Sequence, residues 1–171
     1  MTLTRQQALA GAAIVMGSIA TGAAVRAGTQ AMQASKRGDT QTALHQERNY
    51  RVSAKRIYDA LLVSRTFAAF SHAPAQIDPV AGGAFSLFGG LIIGRNLELV
   101  PNARIVQGWR SDQSWDPGVY SIVRFEIVER DEQTLLVLDQ TGFPAGTYNH
   151  LYAGWKAHYF EPLAAYFGLR R

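Results

Sequence analysis

The side chains best able to do chemistry lie near the C-terminus and in one strand-like run. Trp155, His158 and Tyr159 stand close together in the segment GWKAHYFEPL. An imidazole exchanges protons near neutral pH, and a phenol can donate a hydrogen bond. Either could fix the polar end of a ligand, and the same residues could equally serve to pack a helix on a sheet. Trp109–Arg110 is the second feature: Trp109 facing inward with Ile105 would line a cavity or fill a core, with Arg110 directed outward. Gln140 and Thr141 end another strand-like run and could aim polar groups inward. Glu98, between Leu97 and Leu99, would be an acid or base with a raised pKa if turned inward, and a solvated strand residue if turned outward. Metal chemistry fails on spacing. His45, His72, His150 and His158 form no His-x-His or His-x-x-x-His pair, and there is no Cys. Gly-x-Ser-x-Gly is absent, and Gly82–Gly83 and Gly89–Gly90 lack the Lys-Ser/Thr of a phosphate loop. The residues favour binding over catalysis, with no cofactor implied.

The elements needed to position these side chains can be read from hydrophobic spacing. Leu151, Trp155, Tyr159, Leu163 and Phe167 recur every fourth residue, with Tyr152 and Tyr166 beside them, which predicts a long amphipathic helix ended by Gly168. Pro162 has no N–H for the carbonyl of His158, so a kink is expected there. Before it, turn signals at Gly82–Gly83, Gly89–Gly90, Pro101–Asn102, Asp116–Pro117–Gly118 and Asp131–Glu132 separate five short runs, the pattern of an antiparallel meander. The runs are Ala84–Phe88, Leu91–Val100, Arg104–Trp109, Val119–Val128 and Thr134–Thr141. In the fourth, Val119, Ser121, Val123, Phe125 and Ile127 should face the interior, while Tyr120, Ile122, Arg124 and Glu126 face mostly solvent. Upstream, His45–Val52 reads as a strand, Ala54–Leu62 as a helix with Ser53 as N-cap, Ser64–Phe70 as a second helix, and Ala75–Asp78 as a short strand.

The fold class that follows is α+β: a curved antiparallel sheet of about six to seven strands wrapped round a long C-terminal helix, with two short helices between the first two strands. A sheet around a helix leaves an apolar pocket. Its expected ligand-binding residues are Phe85, Leu97, Ile105, Trp109, Val123, Phe125, Leu136, Leu138 and Gln140 from the sheet, and Trp155, His158 and Tyr159 from the helix.

Composition sets the outer limits. The chain has 171 residues, 47% hydrophobic and 18% charged, which suits one domain and excludes disorder. Lys and Arg number 17 against 13 Asp and Glu. Setting aside Arg5 and Arg26 leaves 15 against 13, or +2, too little to argue for nucleic acid or an anionic membrane. Those two arginines flank an uncharged run from Gln6 to Val25 that reads as an export signal, with cleavage after Ala27. The run around Thr4-Arg5-Gln6 is similar to a twin-arginine signal, with Gln6 replacing one arginine, so the general secretory route stays open. The alternative is an uncleaved membrane anchor. The expected organisation is a signal over 1–27, a polar leader over 28–42 and one domain over 43–171, with a periplasmic or secreted product.

Four sequence blocks carry a family resemblance. They are Gly-x-Phe within GGAFSLFGG, the run from Gly94 to Arg110 (G-x-x-x-x-L-x-P-x-x-x-I-V-x-x-W-R), the run from Thr134 to Pro144 (T-x-L-x-L-x-Q-x-G-x-P), and the run from Gly154 to Leu163 (G-W-x-x-x-Y-F-x-P-L). In this order they resemble the family of homologues of the activator of the heat-shock-protein-ninety ATPase, within the SRPBCC or START-like superfamily. The resemblance spans about residues 44 to 168. It implies the helix-grip fold, and superfamily members commonly enclose a hydrophobic ligand, some having become cyclases or dehydratases. It also implies a relation to the end domain of a two-domain eukaryotic co-chaperone, whose N-terminal domain has no counterpart here, an export signal standing in its place. Export would separate the product from an internal chaperone.

Three functions are therefore expected in turn. The first is a module binding a small apolar or amphipathic molecule between sheet and helix. The second is a protein-interaction module of the co-chaperone type. The third is a cyclase- or dehydratase-like enzyme using Glu98, His158 or Tyr159. No nucleic-acid partner is expected, and a membrane only if the first segment stays uncleaved.

Overall fold

The computed structural model describes residues 40–111 and 114–168. The expected export signal and nearly all of the expected leader lie outside the described residues. Eight residues, Ala43–Tyr50, form strand β1, and helices α1 (Ala54–Leu62) and α2 (Ser64–Ser71) follow. Next come β2 (Ala75–Ile77), β3 (Ala84–Leu87), β4 (Ile92–Val100), β5 (Arg104–Ser111), β6 (Ser121–Arg130) and β7 (Gln133–Thr141). The last described element is a helix of three parts: α3 (Tyr148–Trp155), a π turn (Lys156–Phe160) and α4 (Glu161–Tyr166). The seven strands form one antiparallel sheet in the order β1-β7-β6-β5-β4-β3-β2. It is the helix-grip architecture expected from the spacing, with a curved sheet around the C-terminal helix. Among the described residues, no helix is long and apolar enough to cross a membrane.

The strand alternation holds where it was clearest. Ser121, Val123, Phe125 and Ile127 are buried, whereas Tyr120, Ile122 and Arg124 are exposed. The turn residues reach backbone conformations the strands could not: Asn102 and Asp131 lie at φ 59° and 51°, which their short polar side chains tolerate. Ser53 occupies the N-cap of α1 without capping it through its hydroxyl. The Ala54 N–H instead donates to Glu129 Oε2 of β6 at 2.9 Å, a carboxylate placed at the positive end of the helix.

The helix differs from the simple expectation at Pro162. The irregularity is the π turn just before it, where the Glu161 N–H reaches back to the Lys156 carbonyl. Pro162 lies in the first turn of α4, where no N–H is required of it. Residues spaced four apart drift about 40° per step round an ideal α-helix. The wider π turn reverses part of that drift, so Leu151, Trp155, Tyr159 and Leu163 are all buried.

The core under the helix is largely solid. Ile105, Val123, Leu138 and Leu163 have no measurable exposure. Gly94 lets the sheet close there: a Cβ on it would stand 2.0 Å from the Gly108 carbonyl and 2.4 Å from the Phe85 ring. Phe85 is paired with Gly94 across β3 and β4 and lies over it.

Candidate functional site

One end of the sheet–helix interface is not filled. A cleft of about 390 Å³ opens between the turn after β3, the end of β5 and the helix from His150 to Tyr159. Its walls include Phe88, Trp109, Trp155, His158 and Tyr159. A wider depression of about 510 Å³ lies beside β2 and β3, but it is open to solvent. Its Ser64 hydroxyl is already bonded to the N–H and carbonyl of Ile77, at 2.9 and 3.3 Å. The cleft is the better candidate, because it is more enclosed and is walled by aromatic rings.

The rings of the cleft are set by a buried polar chain. The Trp155 indole N–H donates to Gln140 Oε1 at 2.7 Å, and Gln140 Nε2 donates to Ser121 Oγ at 2.8 Å. Ser121 Oγ donates in turn to the Trp109 carbonyl at 3.1 Å. β5, β6 and β7 place these residues on one inner face, with Trp109 opposite Ser121 and Val123 opposite Gln140. Gln140, fully buried, thus fixes the plane of Trp155. Trp155 packs on Trp109 with ring centroids 5.5 Å apart and on Tyr159 at 4.3 Å.

Two polar atoms of residues that line the cleft have no such partner, though both are sealed from its open space. The Trp109 indole N–H and the Tyr159 hydroxyl are both buried with no well-formed hydrogen bond. Buried polar groups are nearly always paired, so each orphan calls for an explanation. Burial pushes the Tyr159 phenol well above its usual pKa, and the nearby Trp109 indole N–H opposes this only in part. Tyr159 therefore remains a neutral hydroxyl with a proton to donate.

Phe88 forms the rim. Its backbone sits at φ 54°, a left-handed conformation that costs a bulky residue energy. In return its ring meets Tyr159 at 5.6 Å, His158 at 5.9 Å and Phe67 at 5.5 Å. His150 and His158 are exposed at the opening. Gly154 also lines the cleft, and a Cβ on it would meet nothing within 4 Å.

The residues expected to bind ligand separate into groups. Trp109, Trp155, His158 and Tyr159 line the cleft. Gln140 stands behind Trp155 as a positioning residue. Phe85, Ile105, Val123, Phe125, Leu136 and Leu138 are buried in the packed core rather than in the cleft walls. Leu97 is a correction: it is 51% exposed and lies over Gly108 on the outer face. The cause is a β-bulge between Asn96 and Glu98, which shifts the alternation by one residue. Asn96 takes the inward position, fully buried, donating to the Asp78 carbonyl at 2.8 Å and accepting from Gln107 at 3.0 Å. Glu98 accordingly faces outward and pairs with Arg104 at 2.9 Å. The acid–base set Glu98, His158 and Tyr159 is therefore not brought together. Thr141 is exposed.

Sequence reasoning missed Phe88, His150 and Gly154. The Gly89–Gly90 pair directly after Phe88 was the available signal for a tight turn that could turn an aromatic ring into an opening.

On the opposite face of the sheet, charges alternate across five strands. His45 bonds Asp139 at 2.8 Å, Asp139 bonds Arg124 at 3.0 Å, and Glu126 bonds Arg104 at 3.0 Å, with Glu98 completing the line. Partial burial pushes the Asp139 carboxyl upward, but hydrogen bonds from His45 and Arg124 outweigh it and hold the pKa low.

Comparison with known proteins places the chain. Residues 51–168 match the family of activator of Hsp90 ATPase homolog 1-like proteins. The human activator of 90 kDa heat shock protein ATPase homolog 1 is 29% identical over 122 residues, covering 71% of this chain and 36% of the relative. An uncharacterized protein of Schizosaccharomyces pombe is 33% identical over 125 residues, covering 73% of this chain and 37% of the relative. The chain thus spans about a third of the length of the curated relatives it matches. Among solved structures, an HSP90 activator from Plasmodium falciparum superposes with a TM-score of 0.71 at 24% identity, covering 75% of this chain and 97% of that one. A Chromobacterium violaceum protein gives a TM-score of 0.62 at 26% identity, covering 76% and 99%. The four blocks of sequence, the strand order and the helix laid in the sheet agree with that match, and the chain belongs to the activator of Hsp90 ATPase homolog 1-like family.

Proposed function

We propose that the chain is a protein-interaction module of the activator type, engaging an ATPase of the 90 kDa heat-shock class. The family match and the activator names carried by relatives support this reading. The outer face of the sheet suits it: a line of alternating charges lies beside exposed Leu97 and Ile122. The test is to add the purified chain to that ATPase from the same cell and follow phosphate release. A severalfold rise in turnover that Arg104→Glu weakens supports the reading. No rise, together with no co-sedimentation, ends it.

A second reading rests on a separate observation, the cleft of about 390 Å³ walled by Phe88, Trp109, Trp155 and Tyr159. In this reading a small apolar or amphipathic molecule occupies the cleft, within the range of about 300–1,000 Å³ that holds such ligands. Its test is calorimetric titration with apolar probes, and failure of every probe would remove it.

The export expectation bears on the choice between the two. We propose that residues 1–27 direct export, which favours the second reading because it removes the product from an internal chaperone. Sequencing the N-terminus of protein recovered from cells decides it: Gly28 supports export with cleavage, and a start at Met1 or Thr2 opposes it.

A further inference from the structure

We propose that the free edge of β1 pairs with β1 of a second copy of this chain, antiparallel about a two-fold axis at Gln46, so that two sheets join into one. The inference goes beyond both functional readings above and rests on neither.

The two edges of the sheet are finished differently. On one side β2 ends the sheet with three residues, and its outward backbone is already taken. Ser64 Oγ accepts from the Ile77 N–H at 2.9 Å and donates to the Ile77 carbonyl at 3.3 Å. On the other side β1 ends it with eight residues, in unbroken register with β7 and without a proline. The Gly142 N–H donates to the Thr42 carbonyl at 2.8 Å, which sets the phase of that ladder. Leu44, Gln46, Arg48 and Tyr50 therefore turn their backbone groups toward β7, while Ala43, His45, Glu47 and Asn49 turn theirs away. Among the described residues, nothing bonds those outward groups. The C-terminal helix reaches β1 through inner-face side chains, Gln46 donating to the Tyr152 carbonyl at 2.7 Å and Tyr50 to the Phe160 carbonyl at 3.1 Å. A long, regular edge without proline, bulge or cover is a template for another strand.

Charge names the occupant. Antiparallel strands bond only where outward residues meet outward residues, so the axis must fall on a residue and not between two. An axis at His45 sets that imidazole against itself, and one at Glu47 sets two carboxylates face to face. At Gln46, His45 meets Glu47 of the second copy, Glu47 meets its His45, and Ala43 meets its Asn49. Opposite charges across a ladder favour pairing and like charges oppose it. The arrangement closes, because each copy spends its open edge and the capped β2 offers no continuation. One added strand covers less than the roughly 1,000 Å² of a long-lived interface, so the dimer exchanges with monomer.

The test uses the full chain. Sedimentation between about 5 and 500 μM should show the mean mass climbing from monomer toward dimer, as an interface of this size requires. Over that range, hydrogen exchange should slow at the His45, Glu47 and Asn49 amides, while the Gln46 and Arg48 amides, bonded to β7, stay slow throughout. Glu47→Lys sets like charges opposite one another at both symmetric positions and should weaken dimerisation about tenfold or more. Glu132→Lys, exposed in the turn between β6 and β7, changes net charge equally and should alter it by less than about twofold. A monomer at every concentration, a dimer whose edge amides exchange as in the monomer, or equal weakening by the two lysine variants overturns the proposal. Edge amides that slow only when the ATPase is added overturn the second copy in favour of a strand supplied by that protein.

Discussion

Two tyrosines divide the molecule into a closed region and an open one. Tyr50, at the end of β1, is 1% exposed and donates to the Phe160 carbonyl at 3.1 Å, with Phe167 edge-on at 6.0 Å. Tyr159 is 6% exposed, lies among rings just as closely, and donates to nothing. Around Tyr50 every constraint is spent on holding the chain together. Around Tyr159 hydrogen-bonding capacity is left over, beside empty volume. The difference teaches that burial alone does not mark core from site; unpaired polarity inside burial does.

That contrast can be attacked in order of expected size. Gly94→Ala in the closed region forces a Cβ against the Gly108 carbonyl and the Phe85 ring. It should cost about 3 kcal/mol or prevent folding, as read by urea denaturation. Gln140→Leu would strand the Trp155 N–H and remove one donor from the Ser121 oxygen, which keeps its own bond to the Trp109 carbonyl, a loss of about 2 kcal/mol by the same measurement. It should also shift tryptophan fluorescence, since Trp155 loses its anchor. Tyr50→Phe should cost about 1 kcal/mol, because the Phe160 carbonyl loses its donor, whereas Tyr159→Phe should change stability by less than about 0.5 kcal/mol. Equal losses at the two tyrosines would erase the distinction between the regions. Gly154→Ala should stabilise the helix by about 0.5–1 kcal/mol, since the new methyl meets open space.

A separate effect lies at alkaline pH. Burial raises both phenols above the ordinary value of 10.0 in the folded state. Above about pH 10 the unfolded chain therefore releases protons that the folded chain retains, and stability falls as pH rises. Denaturation midpoints between about pH 9 and pH 11 should decline for the natural chain and decline less for the Tyr50→Phe/Tyr159→Phe double variant.

Much of the frame was legible because it follows from spacing. The alternation from Ser121 to Ile127 is a property of strand geometry, and α1 runs over Ala54–Leu62 as its apolar spacing required. What was not legible depends on relations between distant residues. The bulge that turned Leu97 outward and Asn96 inward answers to Asp78 and Gln107, eighteen and eleven residues away. Gln140 was recognisable as an inward polar group, but its bond to Trp155 joins β7 to the helix. The packed state of Ile105, Phe125 and Leu138 was beyond sequence reasoning too, because a void is the small difference between the space enclosed and the volume of side chains filling it. Phe88 escaped notice because its ring reaches the cleft only through an unfavourable backbone angle.

The π turn has a further consequence for how this helix can vary. It holds one surplus peptide unit between the aromatic half of the helix and its aliphatic end. Deleting a residue such as Ala157 would restore ordinary winding and leave Leu163 seven residues from Trp155, within about 20° of two full turns, so the two would stay on one face. Such a shortened chain would keep Trp155 and Leu163 on the sheet but turn Tyr159, now three residues from Trp155, by about 60° relative to it. The surplus unit works as a phase corrector, allowing one continuous rod to be an instrument at one end and a plug at the other.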